Sequence, residues 1–181
     1  MKYFKKVMGF LVIVSLIIVS ANSVVSASVY DAFRYNKGDK LYKKSEIIKG
    51  KKHLTQYTNK NNHDATQYQI VKMSNGKIIL RPQQGWWASA DPYFKKKKLT
   101  YKLSSNCKFY YVDVSYPYSE DGLKYKKVSK KAVQNYMRDK YCKSRIEYVD
   151  EAGKNYYTCG YSGDVYIKNG KVVAILTNGG D

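Results

Sequence analysis

The 181-residue chain is poor in the side chains from which most catalytic and metal centres are built. It has two histidines, His53 and His63, and three cysteines, Cys107, Cys142 and Cys159. No Cys-x-x-Cys pair occurs and neither histidine is near a cysteine, which excludes a zinc site of the finger or ribbon kind. Three cysteines are also too few for a disulfide-built framework. Three prolines exclude a proline-rich or collagen-like chain. Acids are scarce, 14 Asp+Glu against 33 Lys+Arg, for a formal charge of +19. Paired carboxylates for general-base or metal chemistry are correspondingly few. No apolar run reaches the ~20 residues that a membrane-spanning helix needs.

What is present is tyrosine and lysine. Hydrophobic residues make up 44% and tyrosine occurs 20 times, so the chain can bury a core and is no disordered tail. Its length suits one domain, or at most two very small ones. Met1-Lys2-Tyr3-Phe4-Lys5-Lys6 is a basic stretch, Val7 to Val19 is an apolar run, and Val25-Ser26-Ala27 offers small residues for cleavage. Residues 1–27 are therefore expected to be a signal peptide, with Ser28 starting the mature chain. No cysteine follows the apolar run to carry a lipid, and Leu176 to Asp181 holds neither a hydrophobic tail nor a sortase-like motif. The expected location is secreted, extracellular or loosely wall-associated, with no membrane span after cleavage. Export permits one disulfide. Cys142 with Cys159 would join a helix end to a nearby strand; three reduced thiols is the other possibility.

Residues 28–65 form a polar, basic segment expected to be partly ordered, with Lys49-Gly50-Lys51-Lys52 as a turn and Asn59 to Asp64 as a loop. From residue 66 onwards strands dominate. Gln67–Met73 and Lys77–Leu80 flank Asn75-Gly76, and Asp164–Lys168 and Lys171–Leu176 flank Asn169-Gly170. Asn-Gly between apolar runs signals a hairpin whose two central residues need positive φ. The two stretches echo each other, and shared turn chemistry explains the echo. Leu99–Leu103, a Ser104-Ser105-Asn106 turn and Cys107–Tyr116 follow the same grammar. On the last strand, Tyr110, Val112, Val114 and Tyr116 are expected on the core face, opposite Phe109, Tyr111 and Asp113. Ser129 to Lys143 reads as the one clear helix, capped by Ser129, with Ala132, Val133, Tyr136, Met137 and Tyr141 on one stripe. Strands at Arg145–Val149 and Tyr156–Gly160 complete the pattern. The expected fold is mostly β, a small antiparallel barrel of OB-like or SH3-like type with one inserted helix near 129–143.

Thr100-Tyr101-Lys102-Leu103-Ser104, then Lys108-Phe109-Tyr110-Tyr111, and the closing Asn169-Gly170-Lys171-Val172 resemble small OB-like barrel domains of uncharacterised secreted Gram-positive proteins. The resemblance covers about residues 66–178. It implies a non-catalytic module associated with the wall or surface.

Three arrangements offer chemistry, each with a plainer reading beside it. Gly160-Tyr161-Ser162-Gly163-Asp164, with His53 or His63 and Asp91 or Asp113 upstream, follows the chain order of chymotrypsin-like proteases. Tyr161 and Asp164 depart from that motif, and a Gly/Ser turn between strands accounts for it. His53 and His63 with Asn61, Asn62 and Asp64 would suit a metal-dependent nuclease, yet the nearest acids are only Glu46 and Asp64; exposed histidines account for the same pattern. Trp86-Trp87 after Gly85 could stack on sugars or bases, although alternation would bury one of them.

Charge is the strongest signal. Residues 92–131 hold 11 lysines, among them Lys95, Lys96, Lys97, Lys98, Lys102, Lys126 and Lys127. Arginine, the better bidentate phosphate reader, occurs only at Arg34, Arg81, Arg138 and Arg145. Such a field attracts anionic polymers without reading their sequence, although the same lysines would equally serve as a solubilising face. The expectation is a non-catalytic binding or surface protein for teichoic acid, nucleic acid or glycan at the cell envelope. No catalytic residue, metal ligand or cofactor is assigned. A small secreted hydrolase such as a metal-dependent nuclease is the alternative, and oligomeric state is left open.

Overall fold

Asn75 and Gly76 have φ of 50° and 67°, and Asn169 and Gly170 have 51° and 70°. Both Asn-Gly pairs thus make the left-handed two-residue turns that glycine and asparagine favour, and each fixes a hairpin. The computed structural model describes residues 31–57, 64–65, 67–86, 92–113, 123–139, 142, 145–149, 155–158 and 160–179. Compactness divides the chain into Met1–Arg34 and Tyr35–Asp181. In the first, Arg34 N–H donates to the Asp31 carbonyl at 3.3 Å, closing a turn. The expected signal peptide lies outside the described residues.

In the second unit the strands are β1 (Leu41–Lys43), β2 (Lys52–His53), β3 (Gln56–Tyr57), β4 (Asp64–Ala65), β5 (Gln67–Ser74), β6 (Lys77–Trp86), β7 (Pro92–Phe94), β8 (Leu99–Asp113), β9 (Lys124–Val128), β10 (Arg145–Val149), β11 (Asn155–Thr158), β12 (Ser162–Lys168) and β13 (Lys171–Gly179). The helices are α1 (Lys44–Ile48) and α2 (Lys130–Arg138). β5, β6, β8, β13 and β12 are hydrogen-bonded in that order, and β12 returns to β5, closing a five-stranded barrel. Every pairing in the ring is antiparallel except β8 with β13. Three strands in sequence, a helix, then a hairpin whose last strand lies parallel to the third is a Greek-key barrel of OB type.

The helix begins where its cap predicts: Ser129 Oγ accepts from Ala132 N–H at 3.1 Å. It ends at Arg138, because Asp139 is already extended, so it is shorter than the span to Lys143. Val133 is its fully buried residue. The stretch Ser104-Ser105-Asn106 is no hairpin turn. β8 runs through it, and the register against β13 jumps from Val172↔Leu103 to Ala174↔Lys108, so the extra residues form a bulge.

From Phe109 to Val112 both faces of β8 contribute buried side chains, where alternation suggests one. Phe109 pairs with Ile175, and Ile175 with Val165; all three are sealed on the inner face. Tyr110 and Val112 point outward into a second cluster with Ile47, Tyr125, Tyr166 and Leu176. Each large apolar side chain so buried contributes roughly 1.5–3 kcal/mol. This outer core is why the segment ahead of the barrel is more ordered than its scattered apolar residues suggest. Ile47 of α1 docks there, β1 pairs with β9, and β2 pairs with β12. Gly163 belongs to packing too: a Cβ there would run into the Leu176 carbonyl on the neighbouring strand.

Candidate anion-binding surface

Each Asn-Gly turn is followed at once by a lysine, Lys77 starting β6 and Lys171 starting β13. Barrel closure brings both against one residue of β8. Lys77 pairs with Lys102 across an antiparallel ladder, and Lys171 pairs with the same Lys102 across the parallel one. Lys168 faces Lys171 across the second turn. Directly opposed residues share a face. Their neighbours Ile78, Leu103 and Val172 are buried at 0%, 7% and 0% exposure, so the four lysines point outward, and all four are exposed. At ~4.8 Å between strands they form a row of about 14 Å across β12, β13, β8 and β6. Among the described residues no carboxylate forms an ion pair with any of them. Like charges in direct opposition destabilise a sheet, so the free protein carries an electrostatic cost here that an anion would relieve.

The field extends onto the outer face of β8 and β13. The bulge in β8 leaves a groove of about 580 Å³ between itself, β13 and the α1–β1 segment. Lys40, Lys51 and Lys108 line it, with Glu46, Ser104 and Asn106. Lys51 donates to the Ile47 carbonyl at the end of α1. Burial, first, and then the charges of Lys108 and Lys168 hold its ammonium below the ordinary lysine range. Groove and row share two strands: Ser104 lies two residues beyond Lys102 on β8, and Val173 two beyond Lys171 on β13. Lys40 lies 5.3 Å from the centroid of Tyr42, which meets Tyr110 edge-on at 5.6 Å.

Two further polar clusters hold the fold together. Asp164 on β12 takes Lys44 Nζ at 3.3 Å and His53 Nε2 at 3.7 Å, and His53 stacks on Tyr166 at 4.8 Å. These contacts tie α1 and β2 to the barrel. Buried Arg81 donates to Gln69 Oε1 at 2.9 Å, and its guanidinium sits 3.5 Å from the centroid of Tyr157. It borders a cavity of about 240 Å³ with Met137, Cys142 and Tyr161.

Of the residues singled out from sequence, Lys102 is at the centre of the row. Lys95 is half-buried in the β7–β8 connection, where its N–H donates to the Pro82 carbonyl at 2.9 Å; Lys96, Lys97 and Lys98 are exposed beside it. That run precedes Lys102 by four residues, about 13 Å along a strand. Lys126 is occupied: its Nζ lies 2.8 Å from Asp39 Oδ2 and its side chain is only 12% exposed. Lys127 is exposed on β9. Trp86 ends β6, paired with Pro92, while Trp87, His63, Asp91 and Cys159 lie outside the described residues, so neither the stacking pair nor the Cys142–Cys159 bridge is described. Cys142 is buried, and Cys107 is a partly buried thiol in the β8 bulge. His53 meets Asp164 rather than a set of metal ligands; among the described residues no three His, Cys, Asp or Glu side chains gather around one point.

Lys51, Lys77, Lys168 and Lys171 were not singled out from the sequence. For Lys77 and Lys171 the signal was the echo of Asn75-Gly76-Lys77 in Asn169-Gly170-Lys171, since two identical turns in one barrel can set two lysines against a shared neighbour; Lys51 and Lys168 had none. No family model, curated protein or solved structure matches the chain.

Proposed function

We propose that this chain is an exported, non-catalytic module that binds anionic polymers at the cell envelope through its lysine surface. Teichoic acid, nucleic acid and glycan are the polymers in question. The observation that carries this is the row Lys168–Lys171–Lys102–Lys77, with each member opposed to another lysine. In five-stranded Greek-key barrels, oligonucleotides and oligosaccharides bind on the second and third strands and the loops joining strands one to two and four to five. Those places here are β6, β8 and the two Asn-Gly turns, and they hold the row. This is an analogy of fold, and the lysines are what give it chemical content. The basic, apolar and small-residue stretches of residues 1–27 support export, and among the described residues no helix is long and apolar enough to cross a membrane.

The test is binding to purified teichoic acid and to single-stranded DNA across a salt series. Four lysines neutralising phosphates give a log–log slope of about −3, at 0.7–0.9 per contact. Replacing Lys77, Lys102 and Lys171 together by serine should reduce that slope to about −1. Changing Lys96, Lys97 and Lys98 instead should alter it less. A triple variant that binds like wild type, or a wild type that binds neither polymer at low salt, refutes the proposal.

A further inference from the structure

We infer that the groove beside the lysine row takes a single phosphorylated sugar or polyol unit, so that the protein reads a phosphate-bearing carbohydrate and not merely a negative chain. This rests on the anionic-polymer proposal and names the kind of polymer that fits it. The groove combines groups that a purely electrostatic surface does not need. Lys40, Lys51 and Lys108 bring three ammonium groups to its wall. With one Lys51 N–H spent on the Ile47 carbonyl, the ammonium keeps two more donors for a phosphate oxygen.

The remaining lining suits hydroxyl groups. Ser104 and Asn106 each donate and accept. Glu46 uses Oε2 to accept from the Lys43 N–H at 3.1 Å, and its other oxygen can accept only from a donor. A carboxylate repels a bare phosphate and accepts a hydroxyl, so its presence among three lysines points to a ligand with both. The aromatics speak against a nucleobase. Base stacking needs an open ring face, whereas Tyr110 is buried, Tyr42 meets it edge-on, and Lys40 lies over the Tyr42 ring. At about 580 Å³ the groove is in the range of small-molecule sites. Ser104 and Val173 of the groove lie two residues beyond Lys102 on β8 and Lys171 on β13, so one phosphate chain can cross from row to groove.

The test is calorimetric titration of the mature protein with glucose 1-phosphate, glycerol 3-phosphate, inorganic phosphate, glucose and cytidine monophosphate. The two phosphorylated polyols should bind at least about tenfold tighter than inorganic phosphate, glucose or the nucleotide. Lys108→Gln, at an exposed position, should weaken them about tenfold, and Asn106→Ala should bring them towards inorganic phosphate. The serine triple variant of the row should leave these small ligands within about twofold while losing polymer. Polyol phosphates held no better than inorganic phosphate or the nucleotide, or unaffected by Lys108→Gln, would overturn the inference. A row variant that keeps its polymer would instead overturn the proposed function and leave the groove result standing on its own.

Discussion

Lys102 stands between two lysines, so replacing it by glutamine should stabilise the free protein while weakening its binding. Glutamine keeps most of the aliphatic stem and removes only the charge. Lys77 and Lys171 are its direct partners in register. At about 6 Å in water two unit charges repel by about 0.7 kcal/mol, and physiological salt reduces that to roughly 0.3 kcal/mol. Two neighbours then give about 0.6 kcal/mol at physiological salt and up to about 1.4 kcal/mol when salt is low. For a chain of this size that is a rise in Tm of up to roughly 3–6 °C at low salt. In 1 M salt, where the Debye length is about 3 Å, the rise should vanish. Binding should move the other way, with the salt slope smaller by about one contact. Calorimetry at three salt concentrations, paired with the binding assay, reads both effects. Lys72 serves as the control, because it is exposed on β5 and opposes Ile79 rather than a lysine. Its replacement by glutamine should leave Tm unchanged. If Lys102→Gln lowers Tm, or raises it equally at all salt concentrations, the repulsion inferred from the register does not exist.

Burial raises the Cys107 thiol to about 12 against the charge of nearby Lys130, so it should resist alkylation in the native protein. After unfolding without reductant, one cysteine should be modified if Cys142 is bridged to Cys159, and mass spectrometry finding three would end that pairing. The tyrosines predict the alkaline limit. Desolvation raises Tyr68 and Tyr125 to about 12, and Tyr161 and Tyr166 higher still. In the unfolded chain they ionise near the ordinary 10.0, so the unfolded state loses protons first as pH rises. The stability they contribute is full below about pH 10 and drains away towards pH 12 and beyond. Phenolate absorbance should therefore rise in two phases, the second together with loss of the β-sheet signal. A single rise near pH 10 with the sheet intact would contradict the burial of these rings.

Local chemistry made much of this protein legible without coordinates. The two Asn-Gly turns, the period of two in the flanking strands, the Ser129 cap and the excess of lysine are all short-range features, and together they implied a small barrel with a basic surface. Tertiary structure alone decided what the lysines do. Lys77, Lys102 and Lys171 are far apart in the chain and become neighbours because β13 closes the barrel parallel to β8. The conspicuous run at Lys95–Lys98 lies off that row, and Lys126, which looks the same in sequence, is spent on Asp39. Tyr110 and Val112 on the outward face of β8 are buried only because α1 and β9 cover them, and the groove exists only because a serine-rich stretch that reads as a turn is absorbed as a bulge. Turns and periodicity are set by bonds between near neighbours. Register between distant strands is set by how whole faces pack, and no window of sequence contains that.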